Sequence, residues 1–375
     1  MSKQKVYVGV SGGVDSAVCL ALLSKSEETT AIFMRNWSKD LPGFKCPWRE
    51  DWHDAQSVAL SLNVPIKMWD FEKDYKDKVV NYLIAEYKAG RTPNPDIICN
   101  QEIKFKVFLE HALEVGANKV ATGHYARIFE DNQGRKWLKA AKDKTKDQSY
   151  FLARIAQEAL TKTIFPLGEL EKKEVRKLAS KLNLPVASKK DSVGICFVGE
   201  VGITDFLKNF LDLKPGPIID IATNQEIGQH EGSELYTIGQ RHGLNLNNTS
   251  TIKADSLNGS TKENLNLPYY VTSKNTEKNI VYVSSDISAK EVWTDSITLS
   301  DVHLPTELEL QLPKYKNLSL RTRHLGKLEE VISLQKTADK QYTVKLKQQI
   351  KTPAAGQTGV IYTQDELVLL AGFIN

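Results

Sequence analysis

The chain is poor in cysteine, with four in 375 residues, at positions 19, 46, 99 and 196. Thiols so few and so widely spread form no secreted disulfide framework. No two stand as a CxxC pair, which argues against a zinc ribbon, an iron–sulfur site or a thioredoxin motif. A reducing, cytoplasmic compartment is the expectation. No run of about 18 apolar residues occurs, so neither a membrane-spanning helix nor a membrane partner is expected. The opening Met1–Lys5 leads straight into the apolar run Val6–Val10 and leaves no room for a presequence. Glycine (22) and proline (13) are present at ordinary levels, which excludes collagen-like and low-complexity readings. A strong charge of one sign is also missing, because the net charge is +4. With 41% hydrophobic residues, the length suits two or three domains with buried cores of their own.

What is present is an alternation. Val6–Val10 is a continuous apolar run, as in a buried parallel strand, and ends at Ser11-Gly12-Gly13. Helical spacing over Asp15–Leu23, Asp51–Leu62, Lys73–Lys88 and Lys104–Val115 alternates with strands at Thr29–Met34, Pro65–Asp70 and Lys119–Thr122. This is the pattern of βαβ units on a parallel sheet. Ala126–Glu130 and Lys136–Ala140 flank Asp131-Asn132-Gln133-Gly134 and read as a hairpin. Helices are expected near 155–161 and 171–182. Lys214-Pro215-Gly216-Pro217 breaks the chain ahead of a strand-rich middle, and Asn245–Asn264 reads as a polar surface loop. From about residue 280 short alternating strands, beginning with Ile280–Val283, suggest a small antiparallel barrel or sandwich.

The sharpest motif is Gly9-Val10-Ser11-Gly12-Gly13-Val14-Asp15-Ser16, between the first strand and the first helix. Glycines let the backbone approach an anion, and the helix start offers unpaired N–H groups and a positive dipole end. Ser11 and Ser16 add hydroxyl donors, and Asp15 either positions a divalent metal or orders the turn. The lysine of a Walker A loop is missing. The loop resembles the SGGxDS loop of the ATP-pyrophosphatase superfamily, whose members cleave ATP between the α- and β-phosphates and adenylate a substrate.

Two cysteines sit in informative surroundings. Cys99 follows Gly90-Arg91-Thr92-Pro93-Asn94-Pro95-Asp96, read as a stiff turn ahead of the helix from Lys104. A thiol near a helix N-terminus and a lysine is either a nucleophile of depressed pKa or a buried inert group. Cys196 lies among Lys189, Lys190 and Gly194. Cys19 and Cys46 read as structural, and Trp37, Trp48, Trp52 and Trp69 as packing. Residues 135–191 hold 15 Lys+Arg against 7 Asp+Glu. That excess reads either as solvated helix faces or as a footprint for phosphates.

Several further segments stand in one order along nearly the whole chain. They include Phe33–Trp37, Ala85–Asn100, Ala121–Tyr125, Lys146–Phe151, Phe165–Gly168, Gly194–Phe197, Tyr236–Arg241 and Gly356-Gln357. With the phosphate loop, they make the chain resemble the tRNA-specific 2-thiouridylases. The resemblance implies an α/β fold: a parallel-sheet PP-loop ATP-pyrophosphatase domain over 1–208, a small mixed central domain over 209–278 and a C-terminal antiparallel β-barrel over 279–375. It implies ATP held by Gly9–Ser16, Met34 and Gly123, with Mg²⁺ on the departing pyrophosphate. Cys99 would be the nucleophile, Cys196 the persulfide carrier and Asp96 an acid/base candidate. Asn94, Pro95 and Asp96 would meet the target base, while Lys146, Asp147, Gln148, His124, Arg323, His324 and Gln357 would contact tRNA. The implied substrates are the tRNAs for Lys, Glu and Gln at their anticodon loop, with a sulfur-relay protein or a cysteine desulfurase as donor. An amidotransferase-type ligase would need a catalytic cysteine after Met1, which is absent. An iron–sulfur tRNA thiolase would need a CxxC, and a non-catalytic RNA-binding module would show an impaired loop.

Overall fold

In the computed structural model, residues 3–40, 46–191, 202–247, 268–286, 288, 292–304, 312 and 315–375 are described. The apolar run after Lys5 becomes β1 (Lys5–Val10). It is followed by α1 (Val14–Leu23), β2 (Glu28–Arg35), α2 (Trp48–Ser61) and β3 (Ile66–Asp70). A helix α3 then runs from Glu72 to Lys88 with a π-helical stretch over Lys76–Val80. The next helix, α4, begins as Pro95–Ile98, widens to a π-helix over Cys99–Val107 and ends as Phe108–Glu114. After β4 (Lys119–Thr122) comes the hairpin of β5 (Ala126–Glu130) and β6 (Lys136–Ala140), then β7 (Thr163–Ile164) and α5 (Lys172–Lys181). The sheet order is β3-β2-β1-β4-β7, parallel throughout. One face buries Val18 and Leu20 of α1, Val58 of α2 and Val175 of α5. The other buries Leu83 of α3 and Ile103 and Phe108 of α4.

The start of α4 corrects the sequence reading, which placed a stiff turn there and began the helix at Lys104. Proline is accepted at the first helical position, where its missing N–H costs no bond. Asn94 supplies the cap, its Oδ1 accepting from the Asp96 N–H at 3.1 Å. Cys99 is therefore inside the helix, at 4% exposure, and the free N–H groups invoked to acidify it lie a turn away.

The middle of the chain forms a four-stranded sheet from β8 (Gly216–Asp220), β9 (Gln225–His230), β10 (Tyr270–Asn275) and β11 (Ile280–Ser284), in the order β10-β11-β8-β9. Ile280–Val283 was grouped by its alternation with the barrel. It pairs instead with β10 and β8, because the turn Thr276–Asn279 folds it back on β10. Alternation gives the strand but not its neighbour. Of the polar run Asn245–Asn264, residues 248–264 lie outside the described set.

The barrel closes in the order β12-β15-β14-β13-β16-β17. Its strands are β12 (Trp293–His303), β13 (Ser319–Arg321), β14 (Glu329–Ala338), β15 (Gln341–Lys351), β16 (Thr358–Tyr362) and β17 (Val368–Ile374). Inward residues such as Leu299, Leu320, Val344 and Ile361 fill it. Outward residues Val360, Tyr362, Val368 and Ala371 join the core of the parallel-sheet domain.

A buried ion pair fixes that docking. Asp147, 1% exposed, accepts from Arg321 Nη1 at 2.9 Å and from Ser149 Oγ at 3.0 Å. Its other oxygen takes the N–H groups of Ala141 and Ser149. So enclosed, Asp147 has no surface on which to meet tRNA, which corrects the role expected for it. Asp147→Ala leaves Arg321 buried without its partner, a change worth about 3–5 kcal/mol. Denaturant unfolding followed by tryptophan fluorescence checks this, and a loss below about 1 kcal/mol would contradict the assignment.

Candidate active site

In an open parallel sheet the ligand crevice lies beyond the carboxyl ends of the strands, where the strand order reverses. Here that point is between β1 and β4. Beyond it opens a cavity of about 430 Å³, within the range of small-molecule sites. Gly9, Val10, Ser11, Gly13, Val14, Asp15 and Ser16 of the phosphate loop line it, with Met34 and Gly123. Gly12 turns away, against the backbone of Asp51. Gly123 must be glycine, because a Cβ there would stand 2.7 Å from Ser16 N and 2.8 Å from Asp15 C. The Ser11 N–H donates to Ser16 Oγ at 3.1 Å, and that hydroxyl donates to Gly13 O at 3.0 Å. No side chain caps the first turn of α1, so its N–H groups remain available to an anion.

The carboxylates around this loop are neutralised from the next helix. Lys172 Nζ lies 2.7 and 2.8 Å from the two oxygens of Asp15 and 2.8 Å from Asp191 Oδ1. Tyr125 donates its hydroxyl to Asp15 at 2.8 Å. Asp191 also binds Lys146, at 3.0 Å, and Arg176. Burial pushes the Asp191 carboxyl up, but the bonds from Lys172 and Lys146 outweigh it and hold it at about 2. Asp15 thus ties the loop to Lys172 and Tyr125. Nine of the fifteen cations in residues 135–191 form ion pairs. The excess there is largely internal rather than a free face for phosphates.

His124 and Lys104 line the cavity as well. Lys104 Nζ is 3.4 Å from His124 Nε2, and Thr122 Oγ1 is 2.8 Å from His124 Nδ1. An ammonium only donates, so Nε2 is the acceptor and Nδ1 carries the proton. Burial, with Lys104 beside it, drives the imidazole pKa well down, and His124 is neutral. The Asp96 carboxyl on the same helix is raised by burial and lowered by the charge of Lys104, with burial the larger effect.

Of the other expected residues, Lys146, Gln148 and His324 line the cavity. Gln148 holds the Tyr125 N–H at 2.9 Å, and His324 stacks on Phe151 with centroids 4.2 Å apart. Arg323 is exposed beside it. Asn94, Pro95, Asp96 and Cys99 lie at the start of α4 and are not among the residues that line the cavity. Gln357 Nε2 donates to Thr92 O at 2.7 Å. Cys196 lies outside the described residues. Sequence reasoning missed Lys172 and Tyr125, which nothing in their local spacing marks.

The neutral His124 makes stability depend on pH. Its folded pKa lies below the ordinary 6.5, so beneath that pH the unfolded chain binds a proton the folded one refuses. Stability therefore falls as pH drops below about 6.5, by up to 1.4 kcal/mol per pH unit for one group. Burial lowers His230, His303 and His324 too. His124→Gln should flatten the fall in unfolding midpoint between pH 7.5 and 5.5 without abolishing it, and an unchanged slope would contradict the neutral assignment.

Comparison with known proteins bears on the whole chain. Three family models match in succession: the tRNA methyl transferase HUP domain over residues 4–200, the tRNA methyl transferase PRC-barrel domain over 204–285 and the aminomethyltransferase beta-barrel domain over 294–374. The chain is 40% identical over 377 aligned residues to the tRNA-specific 2-thiouridylase MnmA of Mycoplasma mycoides subsp. mycoides SC, covering 97% of this chain and 96% of the relative. Identity and coverage are the same with the MnmA of Mycoplasma capricolum subsp. capricolum. Among solved structures, NMN synthetase from Francisella tularensis is similar with a TM-score of 0.32 and 18% identity, over 51% of this chain and 67% of that one, a likeness too slight to speak to activity. On the full-length identity and the three matched domains, the chain belongs to the tRNA-specific 2-thiouridylase family.

Proposed function

We propose that this protein is an ATP-dependent tRNA sulfurtransferase that makes 2-thiouridine at wobble position 34 of the tRNAs for Lys, Glu and Gln, in the cytoplasm. One observation carries the reading beyond family membership. Lys104 lines the cavity together with the phosphate loop, and it stands on the helix that Asn94 caps and that carries Asp96 and Cys99. That shared helix supports a reading in which a nucleotide at the loop and a base at the start of α4 are brought together.

The chemistry follows from the substrate. A uridine C2 carbonyl has no leaving group. Transfer of AMP from ATP to its oxygen releases pyrophosphate and turns that oxygen into one. The N–H groups at the start of α1 would hold the phosphates, and Lys172 shields them from Asp15 and Asp191. Among the described residues no three Asp, Glu, His or Cys side chains converge, and both cavity carboxylates are engaged by Lys172. This set suits a magnesium ion that arrives on ATP as part of the substrate. The raised pKa of Asp96 suits it to exchange a proton. A persulfide on Cys196, charged by a relay protein or a desulfurase, attacks C2 and AMP leaves. The Cys99 thiolate then attacks the Cys196 sulfur, leaving the second sulfur on C2 and forming a Cys99–Cys196 disulfide. The reverse order has Cys99 act first and free sulfide attack. Either way a thiol reductant resets the pair.

The test is nucleoside mass spectrometry on unmodified tRNA with Mg–ATP and a desulfurase with cysteine. ATP-dependent 2-thiouridine is expected, and Cys196→Ser and Cys99→Ser should each abolish it. Neither product nor tRNA-dependent ATP–pyrophosphate exchange from folded protein would overturn the reading. Lys172→Met should weaken ATP binding at least tenfold in calorimetry, about 1.4 kcal/mol, because two carboxylates then face the phosphates. Unchanged affinity would remove its shielding role.

A further inference from the structure

Thr92 lies two residues before the Asn94 cap and is gripped from both other domains. Its N–H donates to Ala355 O of the barrel at 2.7 Å. Its carbonyl accepts from Gln357 Nε2 at 2.7 Å, and its hydroxyl is 3.1 Å from that of Thr237 in the middle segment. Gly356 permits the approach: its φ is +89°, and a Cβ there would lie 3.0 Å from Arg91 Cβ and from Thr92 N. The proline spacing explains why the hold falls here. Pro93 and Pro95 have no N–H, so Thr92 is the last residue before the cap whose backbone offers both a donor and an acceptor for a firm grip.

Thr237 is itself set in a built turn. Its N–H donates to Gln240 Oε1 at 3.0 Å. Gly239 N–H reaches Val271 O at 2.8 Å, and Val271 N–H reaches Gln240 O at 3.0 Å. Lys274 Nζ binds the Tyr236 carbonyl at 2.5 Å. The Tyr236–Arg241 motif thus presents one hydroxyl to Thr92. The barrel is already docked by Asp147–Arg321 and Arg154–Asp301, so these contacts are not needed to hold it on.

We propose that Thr237 and Gln357 are positioning residues. Through Thr92 they set the entry to α4, and so the placement of Asp96 and Cys99 relative to the nucleotide. Gln357 then acts on the catalytic segment rather than by touching RNA. The inference rests on the roles proposed for Asp96 and Cys99. A misplacement of about 1 Å at reacting groups costs on the order of 100-fold in rate.

The test uses the full-length protein and the variants Thr237→Val, Thr237→Ser and Gln357→Met. It measures kcat and KM for tRNA thiolation, tRNA affinity by filter binding and the alkylation rate of Cys99 by peptide mass spectrometry. Thr237→Val and Gln357→Met should lower kcat at least tenfold at saturating tRNA, leave tRNA affinity within twofold and change Cys99 alkylation at least threefold. Thr237→Ser, which keeps the hydroxyl, should restore both. Weakened tRNA binding with unchanged kcat and alkylation would make Gln357 an RNA contact and overturn the proposal, as would three variants indistinguishable from wild type. If wild-type protein forms no 2-thiouridine while alkylation still shifts in the variants, the clamp stands and the thiolation reading falls.

Discussion

The contact between Gly123 and the first turn of α1 sets the rest of the site. β1 and β4 are neighbours whose chains leave the sheet in different directions, α1 to the core on one face and the hairpin, through Ala126 and Leu138, to the core on the other. At their carboxyl ends the backbones of residues 15, 16 and 123 are closer than any side chain would allow. That closeness holds the loop Gly9–Ser16 open toward the crevice and puts His124 on its wall. It also starts the chain toward Tyr125, whose hydroxyl ties Asp15 back to the same loop.

Charge around the crevice is arranged by pairing rather than by excess. Lys172, Lys146 and Arg176 converge on Asp15 and Asp191, three cations on two anions. What is left to attract a phosphate is one surplus charge, the uncapped end of α1, and Lys104 and Lys190 on the cavity wall. Partly buried charges are screened less than exposed ones, so a small surplus suffices. The same pairs anchor Asp191, five residues before Cys196 in the sequence, on the cavity wall.

Where the physics is local, the residues announce the structure. The hairpin around Asp131–Gly134 begins and ends as its turn chemistry requires. The phosphate loop is legible because glycine, serine and an adjoining strand are needed within a few positions of one another. Pairings between distant segments leave no such trace. Lys172 reaches Asp15 over 157 positions and Arg321 reaches Asp147 over 174. Each looks, in its own window, like an ordinary surface charge. Proline misled in the opposite way. Two of them near Asn94 read as a helix breaker, yet Pro95 is the first helical residue, because helix starts leave their N–H groups unpaired in any case.

That early start has a consequence for Cys99. It opens the π-helical stretch Cys99–Val107. In an α-helix residues five apart diverge by about 140° around the axis. In a π-helix, wound more loosely to make the i→i+5 bond, they diverge by less. Lys104, five residues on, thereby stands closer to the face of Cys99 than a regular helix would put it. From there it reaches His124, and His124 follows directly on Gly123. The helix of Cys99 is thus joined to the carboxyl end of β4 through Lys104, His124 and Gly123. One helix therefore carries the thiol near its start and, five residues on, the lysine that lines the cavity.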